Sequence, residues 1–235
     1  MRIGVVIPTL DEEAEIAGAL SCLGPSPGEL DVVVADGGSR DGTQALVRDR
    51  ARLVVAPRGR ARQLNHGARA VAGDVLLFLH ADCRLPSGAL EAIKAALANP
   101  DVVGGAFHKR FDPPSVLLRH ARIRTAMWHR LGYVFGDQAM FVRRRSFEQL
   151  GGFREDVRAE DMDLGWRMRR LGTVVLLAGE VVVSARRLDR GGVLPTWFAW
   201  WGIGLRQAAR SAIEGPRAGD LSSEPRSFLD SSGWG

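Results

Sequence analysis

Three clusters of residues in this sequence have the types and spacing to act on an activated, phosphorylated substrate. The first is Val75-Leu76-Leu77-Phe78-Leu79-His80-Ala81-Asp82, an apolar run that ends in a histidine, a small residue and a carboxylate. A buried strand with that ending places its polar tip in the crevice where open α/β sheets bind ligands. One carboxylate, Asp82, suffices for Mg²⁺ or Mn²⁺ if substrate phosphates and water complete the shell. His80 is read first as a contact to a nucleotide ribose and second as a metal ligand. The second cluster is Asp36-Gly37-Gly38 with Asp41. Asp36 could accept from a base imide or a ribose hydroxyl while the glycines let backbone approach the ligand. The same residues could equally form Asx turns and a helix cap. The third is Glu160-Asp161, followed by Asp163. Acidic residues suit the positive end of a helix, but one carboxylate there could also deprotonate an acceptor hydroxyl. Asp161 is the candidate base, with Glu160 holding the acceptor or orienting the base.

Cationic and polar segments accompany these carboxylates. Arg58-Gly59-Arg60-Ala61-Arg62-Gln63 opens a helix, where arginines are electrostatically awkward unless an anion lies nearby. A diphosphate or acidic ligand would satisfy them; a solvated basic turn is the alternative. Asp137 and Gln138, after Gly136, could touch an acceptor or simply form a turn. Arg186 and Arg187 could neutralise a departing diphosphate or be surface charge. Trp197, Phe198, Trp200 and Trp201 form an aromatic patch, with Arg206 and Arg210 following. Core packing or a homodimer contact is the first reading of that patch and a peripheral membrane contact the second.

These groups need elements to carry them. Short apolar runs predict strands over 3–7, 31–35, 53–55 and 74–79. Helical patterns follow over 10–23, 43–50, 59–71 and 86–98, the first of them opened by Asp11, Glu12 and Glu13. Such alternation predicts an α/β fold with a mostly parallel central sheet flanked by helices. Beyond residue 100 the rhythm changes: strands are expected over 102–108, 138–142 and 174–177, and helices over 115–131, 160–171 and 193–213. From residue 215 onward Pro, Gly, Ser and charge predict a flexible tail. The organisation expected is one domain over 1–190, an aromatic-rich helical segment over 191–214 and the tail over 215–235.

The bulk properties bound the function. The chain has 235 residues, 46% hydrophobic, and a formal charge of +5 carried almost wholly by arginine, Lys94 and Lys109 being the only lysines. That length supports one ordinary α/β domain with a small appendage. The arginines are scattered rather than gathered on one element with aromatics, which argues against a nucleic-acid partner. Cys22 and Cys83 have no metal-site or disulfide-framework spacing. No GxGxxG follows the first strand and no GxxxxGK[ST] occurs, which disfavours dinucleotide oxidoreductases and P-loop enzymes. The N-terminus turns polar too soon for a signal peptide, and no window approaches the roughly 18 to 20 apolar residues of a spanning helix. A cytoplasmic location is expected, peripheral to the inner face of the membrane at most.

The order of the motifs carries more than any one of them. Ile7-Pro8-Thr9-Leu10-Asp11-Glu12-Glu13, then Ala35-Asp36-Gly37-Gly38-Ser39-Arg40-Asp41-Gly42-Thr43, Asn65-His66-Gly67, Phe78-Leu79-His80-Ala81-Asp82, Gly136-Asp137-Gln138, Gly151-Gly152-Phe153 and Glu160-Asp161 together resemble the family 2 glycosyltransferases. The resemblance spans about residues 1–190 and implies the GT-A nucleotide-diphospho-sugar transferase fold. Pro57 to Gln63, Phe78 to Asp82 and Ser184 to Arg187 further resemble a bacterial subgroup described as radical-SAM/selenodomain-associated, or arsenosugar-biosynthesis-type, transferases. The family implies that Pro8, Thr9 and Glu12 line the nucleotide pocket, that Asp36 binds the base, and that Arg62 lies on the helix flanking it. It implies that Asp82 is the metal-binding end of a DXD-like motif and Asp161 the catalytic base. Ala35 and His80 depart from the pattern, each standing where many members have aspartate. The activity implied is inverting, metal-dependent transfer from a nucleotide-sugar, in the first instance a UDP-sugar, to a hydroxyl acceptor. A non-catalytic nucleotide-sugar binder and a sugar-phosphate nucleotidyltransferase are the alternatives. The acidic, glycine-free loop after the first strand argues against the latter.

Overall fold

The computed structural model describes residues 1–24, 30–113 and 120–186, with Gly202, Arg206 and Ala209 as isolated positions. Along the chain run β1 (Ile3–Thr9), α1 (Ile16–Ser21), β2 (Leu30–Asp36), α2 (Thr43–Arg48), β3 (Arg52–Val55), α3 (Arg60–Ala70), β4 (Val75–Phe78) and β5 (Cys83–Arg84). There follow α4 (Ala89–Ala96), β6 (Val102–Asp112), α5 (Ala121–Arg130), a 3₁₀ turn (Gly136–Gln138), β7 (Met140–Arg143), α6 (Arg144–Gln149), α7 (Glu160–Met168) and β8 (Thr173–Ser184). The strands form one sheet in the order β3-β2-β1-β4-β7-β6-β8-β5. Its first four strands are mutually parallel. β7 then enters antiparallel to β4 and β6, β8 pairs parallel to β6, and β5 closes the edge antiparallel to β8. The expected α/β architecture with a mostly parallel sheet is the one observed.

Alternation along the strands divides the core. Ile3, Val5 and Ile7 of β1, with Leu77 and Phe141, face the layer of α1 and α4, where Ile16, Ala19 and Ile93 are fully buried. Val6, Leu76, Phe78 and Val142 face the opposite layer, built from Leu64 and Ala68 of α3, Phe147 of α6, and Leu164 and Met168 of α7. A strand covered on both faces must be apolar throughout, hence the unbroken run Val75-Leu76-Leu77-Phe78. Each such buried side chain contributes about 1.5–3 kcal/mol. Helix α3 lies especially close to the sheet: a Cβ on Gly67 would stand 2.4 Å from Cγ1 of Val6.

Several expected boundaries move. The helix expected over 10–23 is only α1, and the acidic trio lies outside it. Asp11 has φ 54°, a left-handed conformation that interrupts any helix there. The N–H groups of Glu12 and Glu13 donate to Thr43 Oγ1 (2.8 Å) and Asp41 Oδ2 (3.1 Å), so the segment is clasped to the loop after β2. Helices expected over 86–98 and 160–171 shorten to α4 and α7. β6 and β8 exceed the strands expected over 102–108 and 174–177 because they pair to Asp112 opposite Ser184. The strand expected from 138 starts at Met140, since Gln138 belongs to the 3₁₀ turn. β5 and α6 were not expected. Residues 115–119 of the expected helix over 115–131, Arg187, the Trp197–Trp201 patch and the tail from 215 lie outside the described residues. So does the helix expected over 193–213, the three isolated positions apart. Among the described residues no helix is long and apolar enough to cross a membrane.

Candidate active site

The C-terminal tips of β1, β2 and β4 converge with the 3₁₀ turn and the start of α7. At the β1–β2 side, Gln63 of α3 donates from Nε2 to the carbonyls of Thr9 (2.6 Å) and Ala35 (3.0 Å), tying the two strand ends together. Sequence reasoning placed Gln63 in the basic segment but missed this bridge, which depends on how α3 lies across the sheet. Thr9 is buried and its hydroxyl donates to Asp36 Oδ1 at 3.3 Å. Glu12 is buried as well, with its carboxylate 3.1 Å from Nη2 of Arg186. Arg186 therefore reaches the β1 loop from the end of β8, 174 residues away in sequence. Pro8 lies between Ile7 and Thr9 at the same strand end.

Of its two readings, Asp36 shows the turn-forming one. It is 0% exposed. Oδ2 accepts from the N–H groups of Gly38 (2.9 Å) and Ser39 (2.8 Å) and from Gln44 Nε2 (2.9 Å). Oδ1 accepts from the hydroxyls of Ser39 (2.5 Å) and Thr9 (3.3 Å). These donors saturate the four or so lone-pair sites of a carboxylate. Burial works to raise the Asp36 pKa, but the Ser39, Gln44 and Gly38 hydrogen bonds prevail and lower it. The arrangement is the turn-forming one, a carboxylate that shapes the loop rather than one presented to a base. Arg62 is likewise outward, half-exposed and 3.1 Å from Glu155.

The β4 tip holds the possible metal ligands. Ligand atoms of His80, Asp82 and Cys83 all lie within 4.8 Å of one another. Asp82 is buried, and its backbone carbonyl accepts from Ser184 N–H at 2.9 Å, which fixes the loop against β8. Burial, then the negative charge of Asp82 and Asp137, pushes the Cys83 thiol well up, so the sulfur stays protonated. Burial and the Arg60 guanidinium hold His80 below the ordinary histidine range against the pull of Asp82, Asp137 and Asp161, leaving a neutral imidazole. The Asp82 carboxylate fits a hard cation such as Mg²⁺ or Mn²⁺, the His80 nitrogen suits Mn²⁺ better than Mg²⁺, and the soft Cys83 sulfur is a poor partner for either.

Asp161 reaches the same place through Gly136. The Gly136 N–H donates to Asp161 Oδ2 at 2.6 Å, and the Met162 N–H to Oδ1 at 2.8 Å. A Cβ on Gly136 would stand 2.7 Å from His80 Nε2 and 3.2 Å from Asp161 Oδ2. Only a residue without a side chain lets the turn pass between the histidine and the carboxylate. Gln138, expected at an acceptor or diphosphate, is instead consumed by the turn. It is 1% exposed, accepts from Phe135 N–H (2.7 Å) and donates to the Phe107 carbonyl (3.0 Å). Asp137 pairs with Lys109, whose Nζ lies 2.7 and 2.5 Å from its two carboxylate oxygens and 5.1 Å from the centre of the Phe135 ring.

The anion expected beside the arginines of α3 is partly protein. Arg60 pairs with Glu160, and burial and Asp161 raise the Glu160 carboxyl while Arg60 opposes them. Asp163 is bound by Arg167 (2.8 Å) and Arg154 (3.2 Å). Arg167, 1% exposed, also donates to the carbonyls of Leu150 and Gly152, which anchors the glycine turn before α7. Asn65 of α3 clasps the next residue, exchanging 2.9 Å hydrogen bonds with Phe153 backbone. The expected site residues Glu160, Asp161, His80 and Asp82 are thus brought to one crevice, with Thr9, Glu12 and Arg186 along its β1 side.

Comparison with known proteins bears on the family and the fold. The family model described as "Glycosyl transferase family 2" matches residues 4–151. "Probable glycosyltransferase YdaM" of Bacillus subtilis is 24% identical over 228 residues, which are 85% of this chain and 53% of that protein. An undecaprenyl-phosphate 4-deoxy-4-formamido-L-arabinose transferase of Aeromonas hydrophila is 31% identical over 124 residues, 47% of this chain and 38% of that one. The chain thus spans about half the length of the first of these relatives, or less of the second. Among solved structures, the mannosyltransferase PcManGT of Pyrobaculum calidifontis, in complex with GDP-Man and Mn²⁺, superposes with a TM-score of 0.71 at 23% identity. That match covers 92% of this chain and 65% of that one. Residues 1–349 of TarS from S. aureus, in complex with UDP-GlcNAc, give 0.60 at 16% identity over 78% of this chain and 58% of that one. At those identities the structures establish a shared fold.

Proposed function

The chain belongs to glycosyl transferase family 2, and we propose that it moves a sugar from a nucleotide-diphospho-sugar, a UDP-sugar in the first instance, to a hydroxyl acceptor with inversion. The observation that carries the reading is the approach of two carboxylates with different duties. Asp82 ends β4 beside His80, and Asp161 is fixed against the same histidine by the Gly136 N–H. Each oxygen of Asp161 takes one backbone donor, which leaves acceptor capacity for a hydroxyl proton. A single base on the face opposite the leaving group deprotonates the acceptor as it attacks the anomeric carbon, and such displacement inverts that centre. Asp82 would hold the divalent cation, with His80 its nitrogen neighbour or a ribose contact. When bound, the cation supplies charge neutralisation for the departing diphosphate. Arg186, held against Glu12, adds a fixed positive charge at the nucleotide side. Pro8, Thr9 and Glu12 line that side, and Asp36 shapes it through the loop it organises. Glu160, paired with Arg60, orients the start of α7 and hence the base.

Motifs at Pro57 to Gln63, Phe78 to Asp82 and Ser184 to Arg187 support placing the chain in the radical-SAM/selenodomain-associated subgroup. The relative named for undecaprenyl-phosphate supports an acceptor that carries a phosphate group. The test of the donor side is Asp82→Ala: Mn²⁺-dependent binding of UDP, read by calorimetry with and without the metal, is expected to be lost. UDP binding that keeps its full Mn²⁺ dependence in this variant would remove Asp82 from the metal site.

A further inference from the structure

Next to Asp161 opens a second space, a cleft of about 450 Å³ lined by no residue of β1, β2 or β4. Arg58, Arg60 and Arg62 form one wall, at the start of α3; Glu155, Arg158 and Glu160 form the other. Glu160, adjacent to Asp161 in the chain, closes it on the side of the base. Four arginines therefore meet two carboxylates. Arg60 is matched by Glu160 and Arg62 by Glu155. Arg58 and Arg158 are exposed and have no ionic or hydrogen-bonding partner among the described residues. Two positive charges are left over in a concave space, and each guanidinium offers a planar fork of N–H donors suited to phosphate. Like charges gathered this way repel one another unless an anion joins them.

We propose that this cleft binds a phosphate-class oxyanion carried by the acceptor, with Arg58 and Arg158 as its ligands. Seated there, the anion holds the acceptor beside Asp161 by a route separate from the donor crevice at β1 and β4. Calling the ligand an acceptor rests on the transferase reading; the affinity of the cleft for an oxyanion does not.

The experiment titrates the full chain and the R58Q/R158Q double variant with inorganic phosphate by calorimetry, and each separately with UDP and Mn²⁺. Both side chains are exposed and unpaired, so the variant is expected to fold. Phosphate binding should weaken about tenfold or more, the loss of at least one charge-assisted contact, while UDP affinity stays the same. Phosphate affinity equal to that of the unmodified chain overturns the proposal. An equal loss of UDP affinity also overturns it, because the cleft then belongs to the donor. If the unmodified chain binds phosphate through these arginines but never binds UDP with Mn²⁺, the acceptor assignment falls with the transferase reading and the oxyanion site stands. Co-sedimentation with vesicles containing phosphatidic acid, against phosphatidylcholine alone, separates the sources. Retention that R58Q/R158Q loses assigns the phosphate to a lipid, and phosphate binding without retention assigns it to a soluble acceptor.

Discussion

Asp36 and Asp161 are both buried carboxylates gripped by backbone N–H groups, and the number of donors on each separates their work. Asp161 takes one donor per oxygen and can still receive a proton. Asp36 takes five donors on two oxygens and has nothing left to offer a ligand. Both positions were legible in the sequence as carboxylates at element ends. The base role of Asp161 could be read there too; the choice between the two readings of Asp36 could not, because its lone-pair occupancy depends on Thr9 and Gln44, which come from other elements. Asp36 has a lowered folded pKa, so the stability it contributes is complete above its ordinary value of 3.8 and is lost as pH falls through the folded value. Asp36→Asn turns an amide donor toward other donors and should cost about 3 kcal/mol at pH 7. Urea unfolding at pH 7 and pH 3 checks this: the gap between parent and variant should narrow at pH 3, and a gap independent of pH would refute the assignment.

At the scale of elements, the site depends on one close passage. The 3₁₀ turn threads between His80 and Asp161 because Gly136 has no side chain, and Gln138 locks the turn from below through Phe135 and Phe107 backbone. Gly136→Ala should push His80 and Asp161 apart and lower turnover at least about 100-fold, since small misplacements of catalytic groups are costly. The thermal midpoint should change far less, and a variant of normal activity would show that the passage is not needed. β1, β2 and β4 were readable because strands covered on both faces carry long apolar runs, whereas β3, the partly exposed edge strand, showed only as the short run Leu53-Val54-Val55. The segment after β1 was misread as a helix start, since acidic residues there mimic a dipole-complementing turn, whereas Asp11 turns left-handed and the trio clasps the next loop. β5, two residues paired to the far end of β8, has no local signature at all.

The whole molecule couples these pieces through long-range ties. Arg186 joins the end of β8 to Glu12 of the first loop, Asn65 joins α3 to Phe153, and Arg60 joins α3 to Glu160 of α7. A ligand that occupies the crevice therefore braces several elements at once, and binding only the folded state stabilises it by about 2.7 kcal/mol at a hundred times its dissociation constant. For a chain of this size that is a rise of roughly 5–10 °C in the thermal midpoint. UDP-, GDP- and dTDP-sugars with Mn²⁺ should be distinguishable on that scale, with the UDP-sugar expected to give the largest rise; no rise with any of them would contradict a nucleotide-sugar site. In the mechanism proposed, Asp161 is the base and the donor half of the site is built around Asp82. The mechanism's most direct test is Asp161→Asn, assayed with the stabilising donor and Mn²⁺ for nucleotide binding and for sugar transfer or donor hydrolysis. Binding within a few-fold of the parent, with turnover reduced about 10³-fold, is the predicted result; turnover at the parent's rate would contradict it.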